Sequence, residues 1–333
     1  MNASKILVTG GCGFIGSAVI RSLINSTDYD VVNLDKLTYA GNLDSLPGII
    51  NTQRYSDERV DICDGQALAR VFEQHQPTWI MHLAAESHVD RSIDGPADFI
   101  NTNITGTFNL LEATRKYFYG LDEADKKQFR FHHISTDEVY GSVENGSSVE
   151  TDILLPNSPY SASKAASDLI VRSYVETYGL DARITRCCNN YGPNQYPEKF
   201  IPLAIKNLKE GKKLSVYGDG MNIREWIHVE DHCSGLFLAM ENGKPGEIYN
   251  IGAGNETANR VLVDKLLALL GKDDSSVNYV ADRLGHDRRY SVDIAKITAL
   301  GWKRARSLDE ALEQTVAWYR DNRWWWEPLK ANK

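Results

Sequence analysis

Lys5-Ile6-Leu7-Val8-Thr9-Gly10-Gly11-Cys12-Gly13-Phe14-Ile15-Gly16 decides the fold. Its first five residues read as a short buried strand. After Gly16, apolar positions recur at helical spacing through Val19, Ile20 and Leu23. Glycines at 10, 13 and 16 permit a tight turn and close approach of backbone to a ligand. Strand, glycine turn and helix together set backbone amides and a helix N-terminus where a pyrophosphate binds. About 20 residues on, as this fingerprint requires, Val31-Val32-Asn33-Leu34-Asp35 ends a second strand with an acid. A carboxylate there accepts bonds from ribose hydroxyls and repels the extra phosphate of NADP, so the expected cofactor is NAD.

Outward from this stretch, apolar strand-like runs alternate with amphipathic helical patterns. Strands read at 5–9, 30–35, 58–61, 79–84, 129–135 and 182–187, and helices near 14–25, 65–74, 98–117 and 160–178. That alternation predicts an α/β fold, a Rossmann-like doubly wound parallel sheet. The polar stretch 142–157 reads as a loop at an active-site edge. Beyond Asn190 the order becomes irregular, which is where a smaller C-terminal α/β substrate lobe begins. Trp226-Ile227-His228-Val229 and Glu247-Ile248-Tyr249-Asn250-Ile251 read as returns to the first domain. The expected cofactor domain is therefore 1–190 with returns near 225–251, and the lobe is 191–224 and 252–333. Trp318, Tyr319 and Trp324-Trp325-Trp326 are expected to pack that lobe.

Composition narrows the class. The 333 residues are 42% hydrophobic and 25% charged, the balance of an ordinary soluble globular protein. A net charge of −8 argues against a nucleic-acid partner, which needs a basic face. Cysteines 12, 63, 187, 188 and 233 lack zinc-ligand or disulfide-scaffold spacing, so buried reduced thiols, no metal and a cytoplasmic setting are expected. The first strand starts almost at once, leaving no room for a signal peptide, and no apolar run is long enough to span a membrane.

The chemistry is concentrated in Ser135-Thr136-Asp137-Glu138-Val139-Tyr140-Gly141 and Tyr160-Ser161-Ala162-Ser163-Lys164. On a helix, Tyr160 and Lys164 share one face, about a turn apart. A lysine ammonium near a phenol favours phenolate and lowers its pKa from about 10. Such a phenol serves as a general base near neutral pH. The hydroxyl and two adjacent carboxyls add equipment for an elimination, more than a simple alcohol oxidation needs.

These motifs resemble those of the extended short-chain dehydrogenase/reductases, and within them the dTDP-glucose 4,6-dehydratases. The resemblance runs almost end to end. It includes Leu34-Asp35-Lys36-Leu37-Thr38-Tyr39-Ala40-Gly41-Asn42, His82-Leu83-Ala84-Ala85-Glu86-Ser87-His88-Val89-Asp90, Asn189-Asn190-Tyr191-Gly192-Pro193 and Gly285-His286-Asp287-Arg288-Arg289-Tyr290. Cys12 stands where the family usually has alanine, and Leu284 where it usually has proline.

The resemblance implies that Tyr160 removes the sugar C4 hydroxyl proton, with Lys164 stabilising phenolate and Thr136 bonding the C4 oxygen. Glu138 is the implied base at C5 and Asp137 the acid for the departing C6 hydroxyl. Gly10, Gly13, Phe14, Ile15, Gly16, Asp35, Lys36, Leu37, Thr38, Asp61, Ile62, Leu83, Ala84, Ala85, Thr102 and Asn190 would line the NAD site with Tyr160 and Lys164. Ser87, Thr136, Asn189, Lys199, Phe200, Ser215, Val216, Tyr217, Arg224, Asn259 and the run Asp282, Arg283, Leu284, Gly285, His286 and Asp287 would face the sugar nucleotide. Arg224 also carries a physical argument, since a guanidinium forks onto diphosphate oxygens. Family members pair helices resembling 98–117 and 160–178 in a twofold interface, so a homodimer is expected. Asp137 favours the dTDP-glucose type over decarboxylases and GDP-mannose dehydratases, which resemble Thr-Ser-Glu here, and over sugar-nucleotide 4-epimerases, which need no acid–base pair for elimination. UDP-glucose is the main alternative substrate. A dinucleotide sensor that had lost catalysis would lack Tyr160 or Lys164, and both are present.

Overall fold

Strands β1 (Lys5–Thr9), β2 (Asp30–Leu34), β3 (Tyr55–Glu58), β4 (Trp79–His82), β5 (Arg130–Thr136) and β6 (Ala182–Cys187) form most of one sheet in the computed structural model, which describes residues 5–329. Residues 1–4 and 330–333, the ends of the expected domain ranges, lie outside the described residues. Ile6, Leu7 and Val8 are fully buried, as continuous apolar runs are when helices cover both faces of a parallel sheet. With Ile248–Ile251 at one edge the sheet has seven parallel strands, in the order Ile248–Ile251, β6, β5, β4, β1, β2, β3. The order reverses between β1 and β4, the switch point where such sheets bind ligands outside their carboxyl ends.

Helices α1 (Phe14–Ser26), α2 (Gly65–His75), α3 (Val89–Asp94), α4 (Pro96–Phe99), α5 (Thr107–Gly120), α6 (Glu123–Gln128) and α7 (Pro159–Tyr178) follow these strands. The expected helix at 98–117 is in fact composite. Between α4 and α5 residues Ile100–Gly106 form a π-helix, a local widening frequent at functional sites. The third strand sits at Tyr55–Glu58 rather than 58–61, because Tyr-Ser-Asp-Glu is an edge strand without an apolar run.

The chain divides into two compact units. The first comprises the chain up to Thr136, Pro159–Arg186 and Leu236–Tyr249; the second comprises Asp137–Ser158, Cys187–Gly235 and the chain from Asn250 onward. Residues 137–158, which sequence alone assigns to the cofactor domain, group with the second unit because their backbone pairs there: Val143 N donates to Arg289 O, and Ser148 N to Ser291 O, each at 2.9 Å. Trp226–His228 pairs with Asn189–Tyr191 in a separate two-stranded sheet, whereas Ile248–Ile251 joins the large one. The core of the first unit gathers Leu7, Val32, Ile80, Leu110, Phe131 and Val171. That of the second gathers Ile205, Leu214, Leu262, Leu266, Leu312, Tyr319, Trp325 and Trp326. Trp324 is the exception among the terminal aromatics, 54% exposed. No helix of the described residues is long and apolar enough to cross a membrane.

Candidate active site

In the first unit, the turn after β1 is closed by steric necessity. Gly10 has φ +72°, and a Cβ on it would stand 2.8 Å from the Ala84 Cα. A Cβ on Gly16 would collide with the Gly10 carbonyl, so the first turn of α1 can lie against the loop only with glycine there. Gly13 caps α1 with no side chain, leaving the N-terminal amides for a ligand. Asp35 follows β2 and binds both ways into this loop, accepting from Cys12 N at 2.9 Å and Leu37 N at 2.8 Å. Burial pushes the Asp35 carboxyl above its ordinary range, and those two amides draw it back. Leu37 itself has φ +52°, uncommon for a residue with a side chain. Cys12 is buried and its thiol is pushed up to about 12, chiefly by burial and then by Asp35, so it packs the turn as a neutral group.

The strand ends beside this loop carry the other expected cofactor residues. Thr9 Oγ1 accepts from Leu83 N at 3.2 Å and Ala84 N at 3.1 Å, fixing the loop after β4. Lys36 pairs with Asp61 at 3.3 Å, so the strand-end residues expected near adenine are tied together. Thr102 and Asn103 are buried in the π-helix. Asn103 binds both the amide and the carbonyl of Glu86, at 2.8 and 3.0 Å, and donates to Ser163 Oγ at 2.8 Å. One amide side chain thereby ties the loop after β4 to α7. Sequence reasoning assigns Asn103 no role, since a single asparagine carries no spacing signal.

Tyr160 and Lys164 occupy the first two turns of α7. Tyr160 N donates to Ser92 Oγ at 3.2 Å, and its ring meets Phe99 edge-on with centroids 6.3 Å apart. Lys164 is buried, and its ammonium donates to the Ile134 carbonyl of β5 at 2.8 Å. Thr136 is the last residue of β5.

The next residues begin the second unit. Asp137 to Tyr140 form a 3-10 turn, so the two carboxyls leave a turn rather than a strand that would face them oppositely. Asp137 is buried; Glu138 is partly exposed. Withdrawal from bulk water pushes the Glu138 carboxyl up; Arg283, Arg224 and Lys199 oppose this, and Asp287 adds to it. Glu138 is thus gathered with three expected substrate cations. Arg224 donates to the carbonyls of Ile223 and Asp287 at 2.7 and 2.8 Å and lies over the Tyr290 ring at 4.0 Å, which fixes its guanidinium plane. Tyr290 donates to Asp287 Oδ2 at 2.8 Å and stands 3.5 Å from Glu138 Oε2. Asn157 donates to the other Asp287 oxygen at 2.6 Å. Tyr290 lies in a motif quoted above but has no role from sequence, and Asn157 gives no sequence signal at all. His286 binds Asp282 at 2.6 Å and meets the Tyr217 ring edge-on. Ser215 and Tyr217 project from the exposed face of Leu214–Tyr217, while Val216 is in the core. Leu284 is 78% exposed. Lys199 caps Phe200–Lys209, Asn259 opens Asn259–Leu269, and Asn189 and Asn190 lie on the strand Asn189–Tyr191.

Residues 7–315 match a family model described as GDP-mannose 4,6 dehydratase. The chain is 53% identical to dTDP-glucose 4,6-dehydratase 1 of Escherichia coli K12, over 98% of this chain and 96% of that one. It is similar to a crystal structure of the dTDP-glucose 4,6-dehydratase of Streptomyces venezuelae, solved with NAD bound. The TM-score is 0.92, with 51% identity and coverage of 98% and 99% of the two chains. A UDP-glucose 4-epimerase of Thermotoga maritima is more distant, with TM-score 0.86, 33% identity and 95% and 99% coverage. A match of this extent places the chain beyond a shared fold: it belongs to the dTDP-glucose 4,6-dehydratase family of the extended short-chain dehydrogenase/reductases.

Proposed function

We propose that this chain catalyses the NAD-dependent dehydration of dTDP-glucose to dTDP-4-keto-6-deoxyglucose. The observation that carries the reading is the run Thr136-Asp137-Glu138, placed by a strand end and a 3-10 turn, in a chain that also holds Tyr160 and Lys164 on one helix. The glycine loop and Asp35 suit NAD, because added side chains would obstruct the loop and the acid stands where ribose hydroxyls are read. When bound, NAD supplies the acceptor for the C4 hydride and the source of the hydride at C6.

The protein side of the cycle is proton handling. Tyr160 Oη takes the proton of the C4 hydroxyl, Lys164 stabilises the phenolate, and Thr136 Oγ1 bonds the C4 oxygen. The C4 ketone acidifies the C5 hydrogen, which Glu138 removes. A carboxyl drawn upward by burial is a stronger base than an exposed one. Asp137 gives its proton to the C6 hydroxyl, which leaves as water, and Glu138 returns a proton to C5. Lys199, Arg224 and Arg283 offer cationic groups to the diphosphate.

By function the substrate lobe assigned here is 191–224 and 252–333, with a cofactor domain of 1–190 and returns near 225–251, although the 137–158 segment groups with the second compact unit. The working assembly is a cytoplasmic homodimer through the helices near 98–117 and 160–178. Exposed Phe108 and Tyr119 on α5, with Leu169 and Tyr178 on α7, support that assembly. A panel of dTDP-, UDP-, GDP- and CDP-linked hexoses tests the whole reading through the alkali absorbance of the 4-keto product. Product from dTDP-glucose is expected. Turnover of UDP-glucose alone would reassign the base, and C4 inversion without water loss would make the protein an epimerase.

A further inference from the structure

Beneath the tyrosine–lysine pair the first unit buries a charge cluster that the reaction does not use directly. Asp168 lies four residues after Lys164, on the same face of α7. Its Oδ2 accepts from Arg186 Nε of β6 at 2.9 Å, and its Oδ1 lies 3.4 Å from His133 Nε2 of β5. Asp168, Arg186, His133 and Lys164 are all at least nine-tenths buried. The His133 ring lies 5.2 Å from that of His82 on β4, which is held between Thr9 Oγ1 at 2.8 Å and Thr107 Oγ1 at 2.9 Å.

Burial and then Lys164 draw His133 down to about 4, so it is neutral near pH 7. His82 is held neutral by burial, with His133 and Lys164 adding to it. Burial alone would push the Asp168 carboxyl up, but His133, Arg186 and Lys164 outweigh it and keep the carboxylate ionised. From β4, β5 and β6, α7 is thus faced by His82, His133 and Arg186; α3, α4 and the π-helix bring Ser92, Phe99 and Asn103, and α5 brings Glu112, paired with Arg115 and bonded by Tyr174 further along α7. Two buried cations, Lys164 and Arg186, act on the Asp168 carboxylate. A buried ion pair kept only for stability is replaceable by apolar packing, and this one stands a helical turn from the lysine that must stay charged.

We propose that Asp168 is the positioning residue for Lys164: its carboxylate, held by Arg186 and with His133 beside its other oxygen, supplies a buried counter-charge that holds the Lys164 ammonium one turn from Tyr160. The proposal rests on the catalytic reading of Tyr160 and Lys164 given above. It makes a signed statement about charge. Asp168→Asn removes a negative charge that acts on both cations, so Lys164 loses its proton at lower pH and the Tyr160 phenol ionises at lower pH. Arg186→Met removes a cation and does the reverse. The double variant restores the net charge.

The test titrates carbon-13-labelled tyrosine in the NAD-loaded protein, with the Tyr160 signal assigned by its loss in Tyr160→Phe, alongside the pH profile of kcat/KM. Asp168→Asn should move the Tyr160 titration and both limbs of the profile to lower pH by about 1 unit or more, as expected for loss of a charge at close range. Arg186→Met should move them upward, and Asp168→Asn/Arg186→Met should return them to the wild-type position. If all limbs stay in place while rates fall uniformly, Asp168 is only packing and the proposal fails. Should Asp168→Asn not fold, the direction of the Arg186→Met shift decides alone. Substantial turnover by Tyr160→Phe would overturn the catalytic reading itself, whereas an inactive Tyr160→Phe with unmoved limbs sinks only the role of Asp168.

Discussion

Tyr160, Asp137 and Glu138 act at different moments of the proposed cycle, which makes their losses separable. Tyr160→Phe removes the base for the C4 hydroxyl and should stop oxidation and elimination together while NAD stays bound. The expected loss is about 10²–10⁴ in rate, the usual worth of a general base, read in turnover and bound-nucleotide assays. Asp137→Asn and Glu138→Gln leave the first hydride transfer intact. On mixing Asp137→Asn with dTDP-glucose, absorbance of the reduced nicotinamide should accumulate as product formation falls. In Glu138→Gln, exchange of the C5 hydrogen with solvent should slow. The two losses should not multiply in the double variant, because acid and base work as one unit. Wild-type product rates from both single variants would end the dehydratase reading. At this scale the residue types were legible in the sequence, but their settings were not. Nothing in the order of residues foretells that Asn103 binds Glu86 and Ser163, or that Asn157 and Tyr290 meet on Asp287, since each contact joins positions far apart in the chain or carries no repeating pattern.

Elements show the same division between local and long-range information. β1, β6 and α1 fall within a residue of their expected bounds, because a buried apolar run and a helical repeat are local signals. β3 and the π-helix at Ile100–Gly106 are not local in this sense: one is a polar strand held at the sheet edge by β2, the other interrupts an otherwise helical pattern. The glycine turn between β1 and α1 yields a prediction. A methyl on Gly16 meets the Gly10 carbonyl, so Gly16→Ala must open the loop or displace α1. Affinity for NAD, measured by calorimetry, should fall at least about tenfold, a loss of about 1.4 kcal/mol. The helix Val229–Asn242 yields another. His232 there is fully buried, neither ring nitrogen has a hydrogen-bond partner among the described residues, and burial alone draws it down to about 3. Its unfolded counterpart titrates near about 6.5. The neutral ring therefore favours the folded chain fully above that pH, and this contribution is lost as the pH falls from there towards 3. His232→Leu removes the titration, so its Tm should drop less than that of the wild type between neutral and mildly acidic buffer. Equal drops would show that other groups govern acid unfolding.

For the whole molecule, the proposed dimer is the property most dependent on surfaces that no single element reveals. Beyond its catalytic first turn, the sequence of α7 offers Leu169, Ile170, Tyr174 and Tyr178 as apolar surface for a twofold contact. The structure divides them: Leu169 is 59% and Tyr178 37% exposed, whereas Tyr174 is buried and donates to Glu112 at 2.6 Å. Ile170 packs against the core of the first unit. The exposed pair is extended by α5, where Phe108 is 46% and Tyr119 50% exposed, and where the Tyr119 hydroxyl reaches the Tyr178 carbonyl at 3.2 Å. Two helices that each present bulky apolar groups suit a twofold contact, in which one patch meets its own copy. A stable interface of this kind buries on the order of 1,200 Å² or more in total. A charge near its centre would then be matched across the axis by a like charge. Leu169→Arg should accordingly dissociate the protein at micromolar concentration in a sedimentation experiment, with its circular dichroism unchanged because Leu169 is solvent-exposed within one chain. A wild-type protein that sediments only as a monomer would remove the dimer. A Leu169→Arg variant as tightly paired as the wild type would place the interface on another face.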